Sequence, residues 1–298
     1  MHRRSVLFFA GLILLQSVLY GFGDPISKAA YETMSVYSLM TVRYAIAVAA
    51  LLLVCGRRIA HGLRAVSVRL WLVPSLCIAA GYVLNNIALN LTTATSATFL
   101  RSMAIILTPI LAFLIHRTRY RWVHIPLQLL VVVGLYLFCG GFSGFGVGEL
   151  VGFLSAVCIA GSLVSSGTAL QQMDALTLTT VQAAASMVMA FVCAFIFEGG
   201  LTLQGASPVN WAIILYLALA CTLLGYLLQN KALEGISSRT VALLQCTAPV
   251  LTAFFSFFLL GEMLSLMGLI GAAIILACVV AETLVDTREE KDKNWKGR

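Results

Sequence analysis

The chain has 298 residues, of which 60% are hydrophobic and 10% are charged, and its formal net charge is +7. Soluble domains carry about 25% charged residues, so this composition excludes a soluble fold and indicates a protein embedded in lipid. The length fits about ten membrane crossings of roughly 20 residues each. Backbone polar groups must be satisfied internally in lipid, and the apolar runs lack the alternation of a barrel strand, so we predict helices.

Ten apolar segments follow one another along the chain, with short connections between them. They lie at 5–30, 36–55, 71–90, 96–115, 124–142, 149–168, 178–197, 209–230, 239–259 and 265–285. The first segment carries Gly21, Gly23 and Pro25, so a kink or break is expected there. Arg3 and Arg4 before an apolar stretch also fit a signal peptide. We interpret the stretch as a membrane helix, because its removal would leave the first half of the molecule one helix short.

The basic residues set the expected orientation across the membrane. Sixteen of the nineteen Lys and Arg residues fall on the same side as the N-terminus, Lys28 falls on the other side, and Arg43 and Arg101 lie within segments. Short cytoplasmic loops are enriched in Lys and Arg, so both termini are predicted to face the cytoplasm. The positive charge is therefore a signal of topology, and no nucleic-acid partner is expected.

The sequence indicates no metal and no cofactor. Its eight cysteines are scattered singly, without a CxxC or Cys/His cluster, and are expected to act as small buried hydrophobes. A glycine-rich Walker motif is absent, so direct ATP hydrolysis is unsupported. The four histidines lie near predicted helix ends or in loops, which disfavours a membrane-embedded enzyme.

A nine-residue sequence motif occurs twice in the chain. Gly81 to Leu89 returns 144 residues later as Gly225 to Leu233, with six of the nine positions identical. The copies lie in the third and eighth segments, which are five crossings apart, and an odd number of crossings reverses direction. We therefore predict two repeats related by a pseudo-two-fold axis in the membrane plane, a common plan of secondary transporters.

The fold class predicted from these patterns is an all-α polytopic membrane protein of ten transmembrane helices, arranged as two inverted five-helix repeats. The predicted units are a first repeat over 1–142, a glycine-rich outer linker over 143–148, an inverted second repeat over 149–285 and a charged cytoplasmic tail over 286–298. The tail is expected to be solvated and mobile.

Several short motifs recur in a consistent order along the chain. They are Tyr20-Gly21-Phe22; Val42-Arg43-Tyr44-Ala45; Ala88-Leu89 with Thr92, Thr93, Ala94, Ala97 and Pro109; and Ala232-Leu233 with Ser237, Ala242, Pro249, Leu260-Gly261-Glu262, Gly268, Gly271 and Ala272. Their order and spacing resemble the drug/metabolite transporter superfamily, specifically its EamA-type ten-helix members. The resemblance implies an inverted five-plus-five bundle with alternating access around a central cavity. It also implies substrates such as amino acids, other metabolites and toxic organic compounds, often exported.

The chain departs from that family pattern at two places. The first repeat has His116-Arg117-Thr118-Arg119 where the second keeps Gly261-Glu262, and Tyr20 stands where the family usually has a tryptophan. Neither departure affects the expected fold, but both weaken any inference about the substrate.

Ionisable residues inside membrane segments are costly and by default indicate function. Asp24 is a candidate for proton coupling, because a carboxylate held away from water exchanges a proton more readily; the alternative is an ion pair with Arg43 or Lys28. The resemblance gives Arg43 a structural role. Arg101 is a candidate for binding a substrate carboxylate or phosphate, with snorkelling to the headgroups as the alternative. Glu282 is expected to snorkel to the inner interface.

Uncharged polar residues form a second group of cavity candidates. Buried amides in lipid need partners, so they should face the interior of the bundle, where they either line a cavity or join helices. With Arg101, the substrate-binding candidates are Tyr20, Tyr82, Asn85, Asn86, Gln182, Tyr226, Gln229 and Gln245. Asn86 and Asn230 occupy equivalent positions in the two repeats and are expected to play matched roles.

The sequence therefore predicts a secondary active transporter that exports a small amino acid-like or amphipathic metabolite by alternating access across the cytoplasmic membrane. A facilitative uniporter, a channel-like pore without ion coupling and a membrane-embedded enzyme are the alternatives. The expected partners are a small-molecule substrate and membrane lipids, and both a monomer and a homodimer remain open.

Overall fold

The computed structural model describes residues 3–116, 125–138, 146–202, 207–261, 263 and 265–296, and in these ranges it contains helices and no strand. Consecutive helical segments form ten helices, three of which are interrupted. These are α1 (Arg3–Tyr31), α2 (Val36–Arg64), α3 (Val68–Leu91), α4 (Ala94–Ser102 and Ala104–His116), α5 (Ile125–Phe138), α6 (Val147–Ala169), α7 (Ala175–Glu198), α8 (Pro208–Tyr216, Leu217–Leu224 and Gly225–Leu233), α9 (Ser238–Gln245 and Ala248–Leu260) and α10 (Leu266–Lys296). The predicted all-helical fold is confirmed.

The surface of the bundle is apolar and its interior is partly polar. Eight helices are long and apolar enough to cross a membrane, and α5 and α10 contain the shorter apolar helices Ile125–Leu137 and Leu266–Ala281. For example, Leu53 of α2 is 87% exposed, whereas Gln16 of α1 and Gln182 of α7 are fully buried. A soluble protein shows the opposite tendency, so lipid is the solvent for the outward faces.

The helices pack in the pattern of a duplicated unit. Three helices contact their own repeat mates: α2 packs on α7, α4 on α9 and α5 on α10. Other contacts occur twice, once in each equivalent position of the two repeats. The packing of α3 on α6 corresponds to that of α8 on α1, and the packing of α3 on α7 corresponds to that of α8 on α2. A pseudo-two-fold axis between the repeats produces such corresponding contacts.

Repeat mates run in opposite directions. The side chain of Ser35, at the start of α2, donates a hydrogen bond of 2.5 Å to Glu198 at the end of α7. Towards the other end of α2, Arg58 lies 3.7 Å from Asp174, which caps the start of α7. The antiparallel arrangement of α2 and α7 agrees with an inverted repeat.

The starts of α4 and α9 repeat one local design. The Thr93 hydroxyl accepts from the Ser96 amide at 3.0 Å, and the Ser237 hydroxyl accepts from the Thr240 amide at 3.2 Å. Such side-chain caps satisfy an amide that the first helical turn leaves without a partner. Both helices are then interrupted about two turns later, where the thiol of Cys246 lies 3.9 Å from the Ser102 carbonyl oxygen.

Several predicted boundaries differ from those of the structure. The α2 helix continues past residue 55 to Arg64, and its added turns include the buried residue Ile59. The α10 helix continues to Lys296, so residues 286–296 of the predicted charged tail are helical. This stretch is rich in Glu and Lys, which favour helix.

Some predictions fall outside the described residues. They concern the end of the fifth segment, residues 143–145 of the predicted linker, and the positions of Arg117, Arg119 and Glu262.

The glycines of α1 serve close packing instead of a break. The helix is continuous through Gly21, Gly23 and Pro25 to Tyr31. A Cβ atom on Gly21 would lie 2.6 Å from Cβ of Leu251 and 3.0 Å from its carbonyl carbon. A Cβ atom on Gly23 would lie 2.6 Å from Sγ of Cys221. Small residues therefore let α1 approach the second repeat closely.

The two glycines of α1 that differ most in surroundings provide a matched test. We expect Gly21→Ala to destabilise the protein by about 1–3 kcal/mol, because the backbone of Leu251 blocks the new methyl group. Gly11→Ala should be neutral or stabilising, because nothing lies within 4 Å of that position and alanine favours helix. Thermal unfolding of both variants in one detergent checks this, and equal stabilities would contradict the role assigned to Gly21.

Candidate functional site

A buried ion pair joins α1 to α4. The Arg101 guanidinium donates to both carboxylate oxygens of Asp24, with Nη2–Oδ2 at 2.8 Å and Nη1–Oδ1 at 3.4 Å. The hydroxyl of Thr98, one turn before Arg101, donates to Oδ2 at 3.0 Å. Asp24 is 8% exposed and Arg101 is 9% exposed. Bidentate pairs between an arginine and a carboxylate are among the strongest charge-assisted hydrogen bonds.

This pairing corrects the expected partners of three residues. Asp24 pairs with Arg101 and not with Arg43 or Lys28. The Lys28 ammonium donates to the carbonyl oxygen of Thr92 at 2.7 Å. Arg101 is held inside the bundle, so the snorkelling alternative is wrong. Asp24 and Arg101 are 77 residues apart, and their contact depends on how α1 and α4 pack.

Arg43 of α2 is buried without a carboxylate among its recorded contacts in the described chain. Its Nε–H donates to the hydroxyl of Thr222 at 2.9 Å, and its guanidinium carbon lies 5.1 Å from the ring centroid of Tyr44. Thr222 belongs to the π-helical segment Leu217–Leu224 of α8. A π-helical turn changes the register of the side chains, and such turns often occur at functional sites.

Four tyrosine rings connect the two buried arginines. The Arg101 guanidinium lies 5.7 Å from the Tyr20 ring, and the ring centroids then follow at 6.0 Å from Tyr20 to Tyr82 and 5.3 Å from Tyr82 to Tyr226. The hydroxyl oxygens of Tyr226 and Tyr44 are 3.2 Å apart, and Tyr44 contacts Arg43. Tyr82 and Tyr226 occupy equivalent repeat positions, so their contact marks the interface of the two repeats.

A glutamine network links α1 to α8 and α9. The Gln16 side chain donates to Gln229 at 3.2 Å and to the Gly225 carbonyl at 3.0 Å. Gln245 donates to Gln16 at 3.0 Å and to Gln229 at 2.8 Å. Gln16 and Tyr44 belong to these clusters although the sequence analysis did not select them. A buried glutamine in an apolar segment was the available signal for Gln16.

The two asparagines at equivalent repeat positions have different partners. Asn230 donates to Thr179 at 2.9 Å and to Gln182 at 2.7 Å, both on α7. Asn86 donates to the Tyr82 carbonyl at 2.7 Å and accepts from the Tyr31 hydroxyl of α1. Both asparagines therefore join their helix to a neighbouring helix, but each uses the polar side chains that its own neighbours offer.

Two small cavities lie on either side of a wall formed by Tyr20, Tyr82 and Arg101. One, of about 20 Å³, is further lined by Ser17, Ser102, Ala104, Ile159, Ala242, Gln245 and Ala248. The other, of about 10 Å³, is further lined by Gly23, Asp24, Ser27, Arg43, Asn85, Asn86, Leu217 and Cys221. Each has room for about one water molecule, so the interior is closed around the ion pair.

Most of the predicted site residues meet at these cavities, and three lie beside them. Tyr20, Tyr82 and Arg101 line both cavities, and Asp24, Arg43, Asn85, Asn86 and Gln245 line one. Tyr226 and Gln229 contact lining residues. Gln182 lies on α7, where it forms hydrogen bonds with Asn230 of α8 and Ser166 of α6. The side chain of Glu282 lies outside the described part of the chain.

A larger apolar groove of about 330 Å³ lies between α4 and α5. Its lining includes Ile106, Pro109, Phe113 and Leu129, and none of the lining residues that the structure describes is charged. Phe113 and Leu129 are exposed on the outward face of the bundle. The groove therefore belongs to the lipid-facing surface, while the charged groups that can select a polar ligand lie at the central cavities.

Comparisons with known proteins show the family of the chain. The EamA-like transporter family matches residues 7–140 and 146–281. An Archaeoglobus fulgidus protein named "Uncharacterized transporter" is 26% identical over 276 residues, which cover 91% of this chain and 84% of its own. Bacillus subtilis "Uncharacterized transporter YcbK" is 28% identical over 151 residues, 48% of each chain. A crystal structure that shares 18% identity has a TM-score of 0.76, over 94% of this chain and 98% of its own, and shows the fold alone.

The ion pair yields a stability prediction. We expect Asp24→Asn and Arg101→Gln each to destabilise the protein by about 3–5 kcal/mol, because each leaves one buried charge without its partner. Combining the two substitutions should recover most of the loss. Thermal unfolding in detergent checks both expectations.

An exposed ion pair provides the control. Asp174 pairs with Arg58 at 3.7 Å, and their side chains are 34% and 67% exposed. Asp174→Asn should cost about 1 kcal/mol or less, because asparagine keeps the helix cap and exposed pairs contribute little. Additive losses in the Asp24→Asn/Arg101→Gln variant would contradict a coupled pair.

Proposed function

We propose, from the premise that the chain belongs to the EamA-like transporter family, that it is a secondary active transporter of a small metabolite bearing a carboxylate. The family and the two relatives named as transporters indicate a membrane transporter and not an enzyme. The proposed cargo is amino acid-like or an amphipathic organic acid. The proposed direction is export across the cytoplasmic membrane, with both termini in the cytoplasm.

The observation that carries the proposal is the Asp24–Arg101 ion pair at the wall between the two cavities. A buried ion pair contributes little net stability, because desolvation offsets most of its attraction. A ligand that offers a carboxylate to Arg101 can therefore replace Asp24, provided that the released Asp24 carboxylate also gains a partner. A ligand that also carries an ammonium group can bind the released Asp24. The tyrosine rings beside the pair offer apolar surface and hydroxyl groups to the rest of the cargo.

Alternating access fits the contacts at the two ends of α2 and α7. At one end, Glu198 accepts hydrogen bonds from the Ser35 and Ser38 hydroxyls at 2.5 and 3.1 Å and from the Tyr37 amide at 3.1 Å. At the other end, Arg58 approaches Asp174. We propose that opening either end breaks only that set of contacts while the other set keeps the far side closed.

The charge distribution supports the proposed placement in the membrane. The ends of α2 and α7 that meet at Arg58 lie on the side that collects sixteen of the nineteen basic residues. Under the positive-inside rule this is the cytoplasmic side, so the Glu198 contacts form the outer closure.

A facilitative uniporter or a channel-like pore is the second candidate. An open pore needs a continuous water-filled path, whereas both cavities here hold about one water molecule and are separated by side chains. The closed interior favours a carrier that binds its cargo in each cycle.

Flux through purified protein in liposomes tests the proposal. Pooled amino acids and other organic acids should enter in a saturable manner, and cargo preloaded on the opposite side should accelerate uptake. Flux that rises linearly with concentration would support a pore instead, and a new chemical product without flux would support an enzyme.

Arg101→Ala tests the cargo class in the same assay. We expect it to weaken half-saturation by carboxylate cargo about 10- to 100-fold, the loss typical of a charged hydrogen bond, and to leave the cargo's methyl ester unaffected. Arg57→Ala, an exposed change on α2, is the control and should transport normally. Equal loss for acid and ester would contradict a carboxylate site at Arg101.

Asp24→Asn tests proton coupling. Among the described residues, Asp24 is the buried carboxylate, so it is the residue that we propose for coupling transport to protons. We expect the variant to lose stimulation by a pH gradient while it retains exchange of cargo across the bilayer. Unchanged stimulation would show that Asp24 only ties α1 to α4.

A further inference from the structure

We propose that the cavity beside Asp24 binds one monovalent anion through Arg43, separately from the Asp24–Arg101 ion pair. The inference rests on the proposed function only in treating this cavity as the cargo site, since anion binding itself is measured without transport. The bound group is a small carboxylate or a small inorganic anion such as chloride, and it is distinct from the cargo carboxylate that is proposed to bind Arg101.

Charge balance is the first reason. Asp24, Arg43 and Arg101 are the buried charged residues in the part of the chain that the structure describes. All three line the same cavity. Asp24 is already engaged by both terminal nitrogens of Arg101, so the set carries one positive charge in excess. A single negative charge neutralises it, whereas a dianion or a neutral ligand does not.

The contacts of Arg43 are the second reason. A guanidinium has five N–H donors, and the hydrogen bond recorded for Arg43 uses the one on Nε. Its other recorded contact is the neutral ring of Tyr44. Neither contact supplies negative charge, although Arg43 is 5% exposed. A buried charge without an opposite charge is strongly unfavourable, so a bound anion would complete this site.

The size of the cavity limits the ligand. Its volume of about 10 Å³ admits a body close to one water molecule in the closed state. A chloride ion or a carboxylate group is larger than this volume, so either ligand requires the lining side chains to shift, and a tetrahedral phosphate requires a larger shift. Charge, and not size, therefore selects the class of ligand.

Anion-dependent stability tests the inference. The probes are sodium chloride and sodium acetate, each exchanged against sodium gluconate at constant ionic strength. Purified full-length protein is held in nanodiscs of neutral phosphatidylcholine, and its Tm is followed. Because a ligand that binds the folded state stabilises it, we expect a saturable rise of several degrees in Tm with chloride, acetate or both.

Variants of one helix assign the effect. Arg43→Gln should abolish the saturable rise, whereas Arg43→Lys, which keeps the charge, should retain it at a higher midpoint concentration. Arg57→Gln makes the same charge change at an exposed position of α2 and should behave as wild type. If Arg43→Gln does not fold, Thr222→Val replaces it, and loss of the positioning hydrogen bond should change the midpoint about fivefold.

The outcomes separate the sources and the two proposals. A rise with chloride alone identifies an inorganic anion, a rise with acetate alone identifies a carboxylate, and a rise with both identifies one site that they share. No saturable rise with either probe, persistence of the rise in Arg43→Gln, or an unchanged midpoint in Thr222→Val overturns the inference. Transport without anion-dependent stability leaves the proposed function standing, and anion binding without transport leaves this inference standing.

Discussion

A charged side chain inside a membrane protein is costly unless another group of the protein compensates its charge, and Asp24 and Arg101 compensate each other. The pair joins α1 to α4 within the first repeat. Its surroundings come from both repeats, because α1 also packs closely on α8 and α9 through Gly21 and Gly23. The two cavities, the tyrosine rings and the glutamine network are arranged around this pair. The surroundings of the ion pair therefore depend on how the two repeats pack against each other.

The duplicated scaffold is symmetric, but its chemistry is not. The caps of α4 and α9, their interruptions, and the contact between Tyr82 and Tyr226 follow the repeat. Among the described residues, the three buried charges all belong to the first repeat, whereas the second repeat supplies mainly amides and hydroxyls to the interface. The symmetric frame is compatible with the two proposed closures at the two ends of α2 and α7. The asymmetric interior places the buried charges of the described residues on one side of the repeat interface.

The fold was predictable because its signals are long or repeated: apolar segments of membrane length, and a nonapeptide that returns after 144 residues. The burial of amides such as Gln229 and Gln245 was predictable, because an amide side chain that faces lipid has no hydrogen-bond partner. The partner of Asp24 was not predictable, because it depends on the register of α1 against α4. The π-helical segment that brings Thr222 to Arg43 has no local sequence signal. Tyr44 joins the site through its contacts with Arg43 and Tyr226, and the contact with Tyr226 depends on how α2 packs on α8.

The central claim is that cargo binds by replacing one partner of the Asp24–Arg101 pair. The most direct measurement is an experimental structure of the wild-type protein with a compound that shows saturable exchange in liposomes. The account predicts a ligand carboxylate within hydrogen-bonding distance of Arg101, with Asp24 moved away from its present 2.8 Å contact. An intact ion pair, with the ligand bound elsewhere, for example in the apolar groove between α4 and α5, would contradict it.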